Sequence, residues 1–230
     1  MNNLQRLDKV FSNLGYCSRS QAKQFLREHS ITLENRSLQD PSAKVNPALV
    51  RINGQELDHP DGILILMNKP AGYVCSHDVS EGPRVYDLLP ERWMRRNPLP
   101  STVGRLDKDT TGALLITDNT QLIHKLTSPK HHVEKVYEVE VDKPLSDELV
   151  TQFASGTLLL EGEKEPCRPA ALAITGETSC EVTLTEGKYH QVKRMFAAFG
   201  YKVEKLHRSR FGEYVLGDLR EGEYRGIVDC

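Results

Sequence analysis

The sequence predicts an α+β protein, on three observations: strand-type segments run together instead of alternating regularly with helices, the first thirty residues have helical spacing, and a break falls near residue 60. In chain order, Leu7, Val10, Phe11 and Leu14 recur every three or four residues, and Gly15 is placed to end that helix. Ser18 with Gln21 three residues on is a capping-box pattern. The helix it opens, 19–29, turns Ala22, Phe25 and Leu26 inward and carries Arg19, Lys23 and Arg27 on another face. Residues 31–33 and 50–52 have strand composition, and Asn53-Gly54 signals a tight turn before 55–57. Asp58-His-Pro-Asp-Gly62 has the composition of a short flexible linker, which places domains at 1–60 and 61–230.

Beyond that point strands are expected at 63–67, 73–75, 112–117, 135–141, 170–175 and 180–184. Helices are expected at 119–126, at 147–154 behind a Ser146 cap, and at 188–199 ending at Gly200. On the last of these, Tyr189, Val192, Phe196 and Phe199 form the expected buried stripe, with Lys193 at its edge. In the strand at 135–141, Tyr137 shares a face with Val139 and Val141 while Glu138 and Glu140 point away.

The chain is 38% hydrophobic and 27% charged, and no apolar run approaches the ~20 residues that span a bilayer. The amino-terminal MNNLQRLDKVF has no apolar core of a secretory signal, so the expected location is the cytoplasm, without a membrane partner. Cys17, Cys75, Cys167, Cys180 and Cys230 are odd in number and widely spaced, which argues for reduced thiols over a disulfide framework or a zinc site. The formal net charge is −2, yet positive charge is concentrated. Within 1–30, Arg6, Lys9, Arg19, Lys23 and Arg27 face only Asp8 and Glu28; within 185–210, seven Lys and Arg face only Glu186 and Glu204. Such clusters fit polyanion contact or simply a solvated face.

The most distinctive segment is Val103-Gly-Arg-Leu-Asp-Lys-Asp-Thr-Thr-Gly-Ala-Leu-Leu-Ile116, in which two glycines bracket a polar loop that feeds an apolar strand. Arg105, Asp107 and Asp109 would be presented at the edge of a rigid scaffold, with Asp107 the candidate nucleophile or base. The competing reading has Asp107 or Asp109 bonding its own turn. A calcium loop is rejected, since Thr111, Gly112 and Asp118 fall where that pattern needs other residues. His131-His132 lacks nearby partner ligands apart from Glu134. No Walker loop, dinucleotide fingerprint or nucleophile elbow is present, so neither metal nor cofactor is expected.

Gly104-Arg-Leu-Asp-Lys-Asp-Thr-Thr-Gly112 resembles the signature of the RNA pseudouridine synthases. The resemblance continues through Met67-Asn-Lys-Pro-Ala-Gly-Tyr-Val74, Lys135-Val-Tyr137 and Glu186-Gly-Lys-Tyr-His-Gln-Val-Lys-Arg-Met-Phe196, covering nearly the whole chain. The amino-terminal part is similar to the alpha-L RNA-binding module, through Arg6-Leu-Asp-Lys-Val-Phe11 and Cys17-Ser-Arg-Ser20. Glu34-Asn-Arg-Ser37 departs from it, where such modules often have a glycine-bearing turn. Within the superfamily, 190–200 and Leu206-His-Arg208 are most similar to the RsuA type, which modifies 16S rRNA.

The resemblance implies a mixed, mainly antiparallel catalytic sheet behind a small α/β RNA-binding domain. It implies that Asp107 is the nucleophile acting on a flipped-out uridine, that Tyr137 stacks on the base, and that Lys193, or Arg194 beside it, keeps Asp107 ionised. Arg105 would fill the space the base leaves, with Arg194, Lys9, Arg19, Lys23 and Arg27 as further RNA contacts. The partner implied is ribosomal RNA, 16S RNA or a small-subunit assembly intermediate, met by a monomer. The alternatives are a synthase for large-subunit 23S rRNA, a non-catalytic rRNA-binding assembly factor and, behind both, a nucleosidase. Plain core, loop-fixing and surface roles for Tyr137, Arg105 and Lys193 are what their patterns alone would suggest.

Overall fold

A computed structural model describes residues 4–227, which form two compact units. The first comprises the chain up to Leu64 together with Tyr86–Ser101 and Ile116–Thr120; the second holds the remainder.

In the first unit, strand β1 (Gln5–Arg6) leads into helix α1 (Leu7–Asn13), and Gly15 beyond its end has φ +75. Ser18 forms both halves of the capping box with Gln21, opening a 3-10 turn (Arg19–Gln21) that continues as α2 (Ala22–Glu28). Strands β2 (Ile31–Leu33), β3 (Arg36–Ser37), β4 (Lys44–Val45), β5 (Val50–Ile52) and β6 (Gln55–Glu56) follow. β4 pairs with β1, and the others form an antiparallel sheet in the order β3-β2-β5-β6. Glu34 and Asn35 make the β2–β3 turn with φ of 47 and 67, so the tight turn forms without the glycine usual there. Leu7, Val10, Phe11, Leu14, Leu26, Ile31, Val45 and Val50 close the core, each contributing roughly 1.5–3 kcal/mol relative to exposure.

Residues 58–62, expected to be a flexible linker, are held down instead. The Asp58 carboxylate accepts hydrogen bonds from Trp93 Nε1 at 2.6 Å and from Arg92, while its backbone N–H donates to the Tyr16 hydroxyl at 3.0 Å. Arg96 donates to the carbonyls of Asp58 and His59, and Asp118 accepts from the Ile63 N–H at 2.8 Å. These partners lie 34 to 55 residues apart in sequence, so local composition alone reads as a linker.

The second sheet is mixed and mostly antiparallel. Its strands are β7 (Leu64–Lys69), β8 (Ser101–Thr102), β9 (Thr111–Thr117), β10 (Lys135–Val141), β11 (Ala171–Ile174), β12 (Ser179–Leu184), β13 (Val203–Phe211), β14 (Tyr214–Val215) and β15 (Tyr224–Gly226). The order is β11-β12-β10-β13-β9-β7-β15, with β8 beside β9 and β14 beside β13. β9 and β13 run parallel, whereas β10 pairs antiparallel with both β12 and β13. Helix α3 (Thr120–Thr127) follows β9 in the chain. Helices α4 (Glu148–Ala154) and α5 (Gln191–Ala198) meet through Phe153 and Phe196, ring centroids 5.0 Å apart.

Two expectations are corrected, and one strand has no counterpart among them. Residues 73–75 form no strand, only one parallel bridge from Val74 to Arg84. The long strand β13 escapes the pattern reading because charged side chains interrupt its apolar positions. Helix α5 starts at 191, not 188: the Gln191 side chain accepts from the Lys188 N–H at 2.8 Å, and His190 takes the left-handed conformation. Its buried face is therefore Gln191, Val192, Met195 and Phe196, while Tyr189 is 75% exposed.

Among the described residues no helix is long and apolar enough to cross a membrane. Cys17, Cys75, Cys167 and Cys180 are free thiols, and Cys230 lies outside the described residues.

Candidate active site

The loop between Gly104 and Gly112 is fixed from below by a buried ammonium. Lys69, at the end of β7, is fully buried and donates to the carbonyls of Thr110 at 2.8 Å, Pro70 at 3.0 Å and Lys108 at 3.2 Å. The Gly72 N–H also reaches the Lys108 carbonyl, and the Thr110 N–H closes a turn onto the Asp107 carbonyl. Burial pushes the Lys69 amine below its ordinary range, partly offset by charges that include Asp109 and Asp107. A lysine two residues beyond the apolar run 63–67 was a readable signal that such a clamp exists.

The loop also depends on Gly112. In the parallel pairing of β9 with β13, Gly112 lies opposite Arg208, and a Cβ there would stand 2.3 Å from the Arg208 carbonyl oxygen. The absent side chain lets the strands meet and brings Arg208 beneath the site, where its Nε donates to the Ala113 carbonyl at 2.7 Å.

Asp107 meets two basic side chains. His190 Nε2 lies 3.2 Å from one carboxylate oxygen and Lys193 Nζ lies 3.4 Å from the other. Lys193 binds Asp109 more closely, at 2.6 Å, and so bridges both acids. That hydrogen bond holds the Asp109 carboxyl below its ordinary range. Arg194 does not turn to Asp107: its guanidinium binds Glu163 at 3.0 Å, the Tyr189 carbonyl at 2.9 Å and the Glu161 carbonyl.

Asp107 and His190 border a cavity of about 610 Å³, a volume suited to a nucleotide. Tyr137, buried on β10, lines it together with Leu184 and Val192, and the Arg208 guanidinium lies 6.0 Å from the tyrosine ring centroid. Arg208 is 2% exposed, and its Nη2 has no hydrogen-bond partner among the described residues. Lys135, one side-chain step along the same face of β10, lies over Phe211 and donates to the Val133 carbonyl at 2.9 Å. Arg105 is exposed in the loop and also borders the cavity. The structure thus brings Asp107, Tyr137 and Arg105 to one cavity, with Lys193 joined to it through Asp107. His190, Arg208 and Lys135 join them, and Lys69 holds the loop beneath, none of the four having been singled out from sequence.

In the first unit, Lys9, Lys23 and Arg27 are exposed. Arg19 is partly engaged, sharing Asp8 with Arg6 at 3.2 and 2.9 Å. The paired guanidinium of Arg6 pulls the Asp8 carboxyl down to about 2. Among the described residues no group of three or more His, Cys, Asp or Glu is placed to hold a metal ion.

Residues 63–198 match the family described as RNA pseudouridylate synthase, and residues 5–50 match the S4 domain. The chain belongs to the RNA pseudouridylate synthase family and is an RNA pseudouridine synthase. Its relatives include proteins named ribosomal small subunit pseudouridine synthase A. That of Vibrio parahaemolyticus is 42% identical over 227 residues, covering 97% of this chain and 96% of the relative. That of Escherichia coli K12 is 40% identical over 229 residues, with the same coverage. A solved structure described as a pseudouridylate synthase superposes with a TM-score of 0.68 at 38% identity, covering 97% of this chain and 96% of the other.

Proposed function

We propose that this enzyme isomerises one uridine of small-subunit 16S rRNA, with Asp107 acting on a flipped-out nucleotide. The observation that carries the reading is one carboxylate between His190 and Lys193 at the mouth of a cavity lined by Tyr137. The target RNA is drawn from the names of relatives alike over nearly their whole length. In this reading residues 1–60 are the RNA-binding domain and 61–230 the catalytic domain. The enzyme works as a monomer in the cytoplasm.

The reaction breaks the bond from C1′ to N1, turns the uracil and joins C1′ to C5; overall, a proton leaves C5 and one arrives at N1. An ionised carboxylate serves either by covalent attack or by removing a sugar proton so that a glycal forms. Lys193 and His190 hold Asp107 in place. Extruding the base costs a few kcal/mol of lost stacking, which the Tyr137 ring restores in part. Arg105 occupies the vacated position, and Lys9, Arg19, Lys23, Arg27 and Arg194 are assigned to RNA contact. The contacts of Arg194 with Glu163 and two carbonyls make it the weakest of these assignments.

Small-subunit and large-subunit RNA, free and in assembly intermediates, would be incubated with wild type and with Asp107→Asn, and pseudouridine mapped by carbodiimide-blocked primer extension. The expected result is one new block in small-subunit RNA, with its rate reduced on the order of 10³-fold or more in the variant. A block only in large-subunit RNA would reassign the substrate. No block with any RNA would leave a binding factor, and release of free uracil would identify a nucleosidase.

A further inference from the structure

Tyr189 has no packing role that explains its position. It is the most exposed of the large apolar side chains on the described surface, at 75%, yet its ring is held flat on His190 with centroids 3.9 Å apart and planes 19° from parallel. Two features keep it there. Its carbonyl accepts from Arg194 Nη1 at 2.9 Å, and the next residue, His190, takes φ 47, a conformation that costs energy for any side chain but glycine. The pair stands at the lip of the cavity, and the inner ring reaches Asp107 through Nε2 at 3.2 Å. One face of the tyrosine is covered by histidine, and the other is left to solvent beside the opening a nucleotide must enter.

We propose that the Tyr189–His190 stack is a subsite for a nucleobase adjacent to the flipped uridine. This rests on the reading that Asp107 acts on a flipped nucleotide. Extruding one base leaves its neighbour without a stacking partner on that side. A rigid aromatic ring at the lip replaces the lost contact, and it accepts any base because every base has a π-face. The subsite is continuous with the cavity, and a tyrosine offers large area with little freedom to lose. The stack gives the enzyme a hold on the flanking nucleotide that is independent of phosphate charge.

The test compares Tyr189→Ala, Tyr189→Phe and wild type on small-subunit RNA. It is paired with photocrosslinking of the same proteins to that RNA transcribed with 5-iodouridine, the adducts being located by mass spectrometry. Removing the ring should raise the half-saturating RNA concentration by about 5- to 150-fold, the range measured for stacking on one base. The single-turnover rate at saturating RNA should change far less, the salt dependence of binding should stay the same, and phenylalanine should restore wild-type behaviour. A crosslink should form at Tyr189.

Unchanged half-saturation in Tyr189→Ala would overturn the subsite, as would failure of phenylalanine to rescue or absence of a Tyr189 adduct while Tyr137 or the loop is labelled. If wild type forms the Tyr189 adduct but makes no pseudouridine, the catalytic reading fails and takes with it the placement beside a flipped uridine, leaving only a base contact at Tyr189.

Discussion

Lys135 shows how the site sets the state of a single residue. Its ammonium lies over the Phe211 ring with a backbone carbonyl as its hydrogen-bond acceptor, and a second cation, Arg208, sits in the same wall. Burial first, and Arg208 after it, push the Lys135 amine down to about 8, with Glu186 opposing them. An amine whose pKa falls on folding is penalised while charged, so the penalty is full below pH 8 and vanishes above its ordinary 10.5. Lys135→Met is therefore expected to be more stable than wild type by about 1–3 kcal/mol at pH 7. The gap should close between pH 8 and 10.5, as read from urea midpoints of the two proteins across that range. A gap independent of pH would mean that packing, and not charge, separates them. The strand alternation placed Tyr137 on the inward face, and it is buried. The same alternation puts Lys135 on that face and says nothing of the cation beneath it, which arrives on β13.

At the scale of elements, the crossing of β9 and β13 locates the chemistry. The loop carrying Asp107 ends in Gly112, whose φ of 110 and missing Cβ let Arg208 pass at contact distance. Gly112→Ala would force its methyl against the Arg208 backbone in a conformation alanine disfavours. A loss of about 3 kcal/mol is expected, from overpacking and backbone strain together. Thermal melts and urea titration would register it; a loss under 1 kcal/mol would mean that the strands separate with little resistance. The glycine at the end of the motif was visible in sequence, but its physical reason was not, because its neighbour lies 96 positions away. Helix α5 teaches the converse. Its apolar spacing extended legibly back to Tyr189, but the Gln191 side chain capped the chain first and turned Tyr189 outward.

Over the whole molecule, a net charge of −2 conceals a division of labour. Positive side chains in the second unit are largely occupied: Lys193 by two aspartates, Arg194 by Glu163, and Lys188 by Glu163 and the Glu165 carbonyl. Lys23 and Arg27, by contrast, stand exposed one turn apart on α2, with no ion pair among the described residues. In the proposed reading they neutralise RNA phosphates. Replacing both with alanine should make the double-logarithmic slope of RNA affinity against salt shallower by about 1.4 to 1.8, two phosphates at 0.7 to 0.9 each. The single-turnover rate at saturating RNA should be retained. An unchanged slope in filter-binding titrations would remove α2 from the RNA contact surface.

What the chain determined locally was readable from its residues: the Ser18–Gln21 capping box, the inward face of β10, the glycine-bracketed loop that offers Asp107. Such features depend on neighbours within one turn or one pleat, so spacing carries them. Which base meets which acid was decided only in three dimensions. Lys193 and Asp109 stand 84 residues apart, and their contact, like that of His190 with Asp107, exists because the chain returns through a left-handed residue to the loop beside the parallel crossing of β9 and β13. A separation of that length leaves no periodic trace in a sequence, because it is packing between distant strands and not local geometry that brings the charges together.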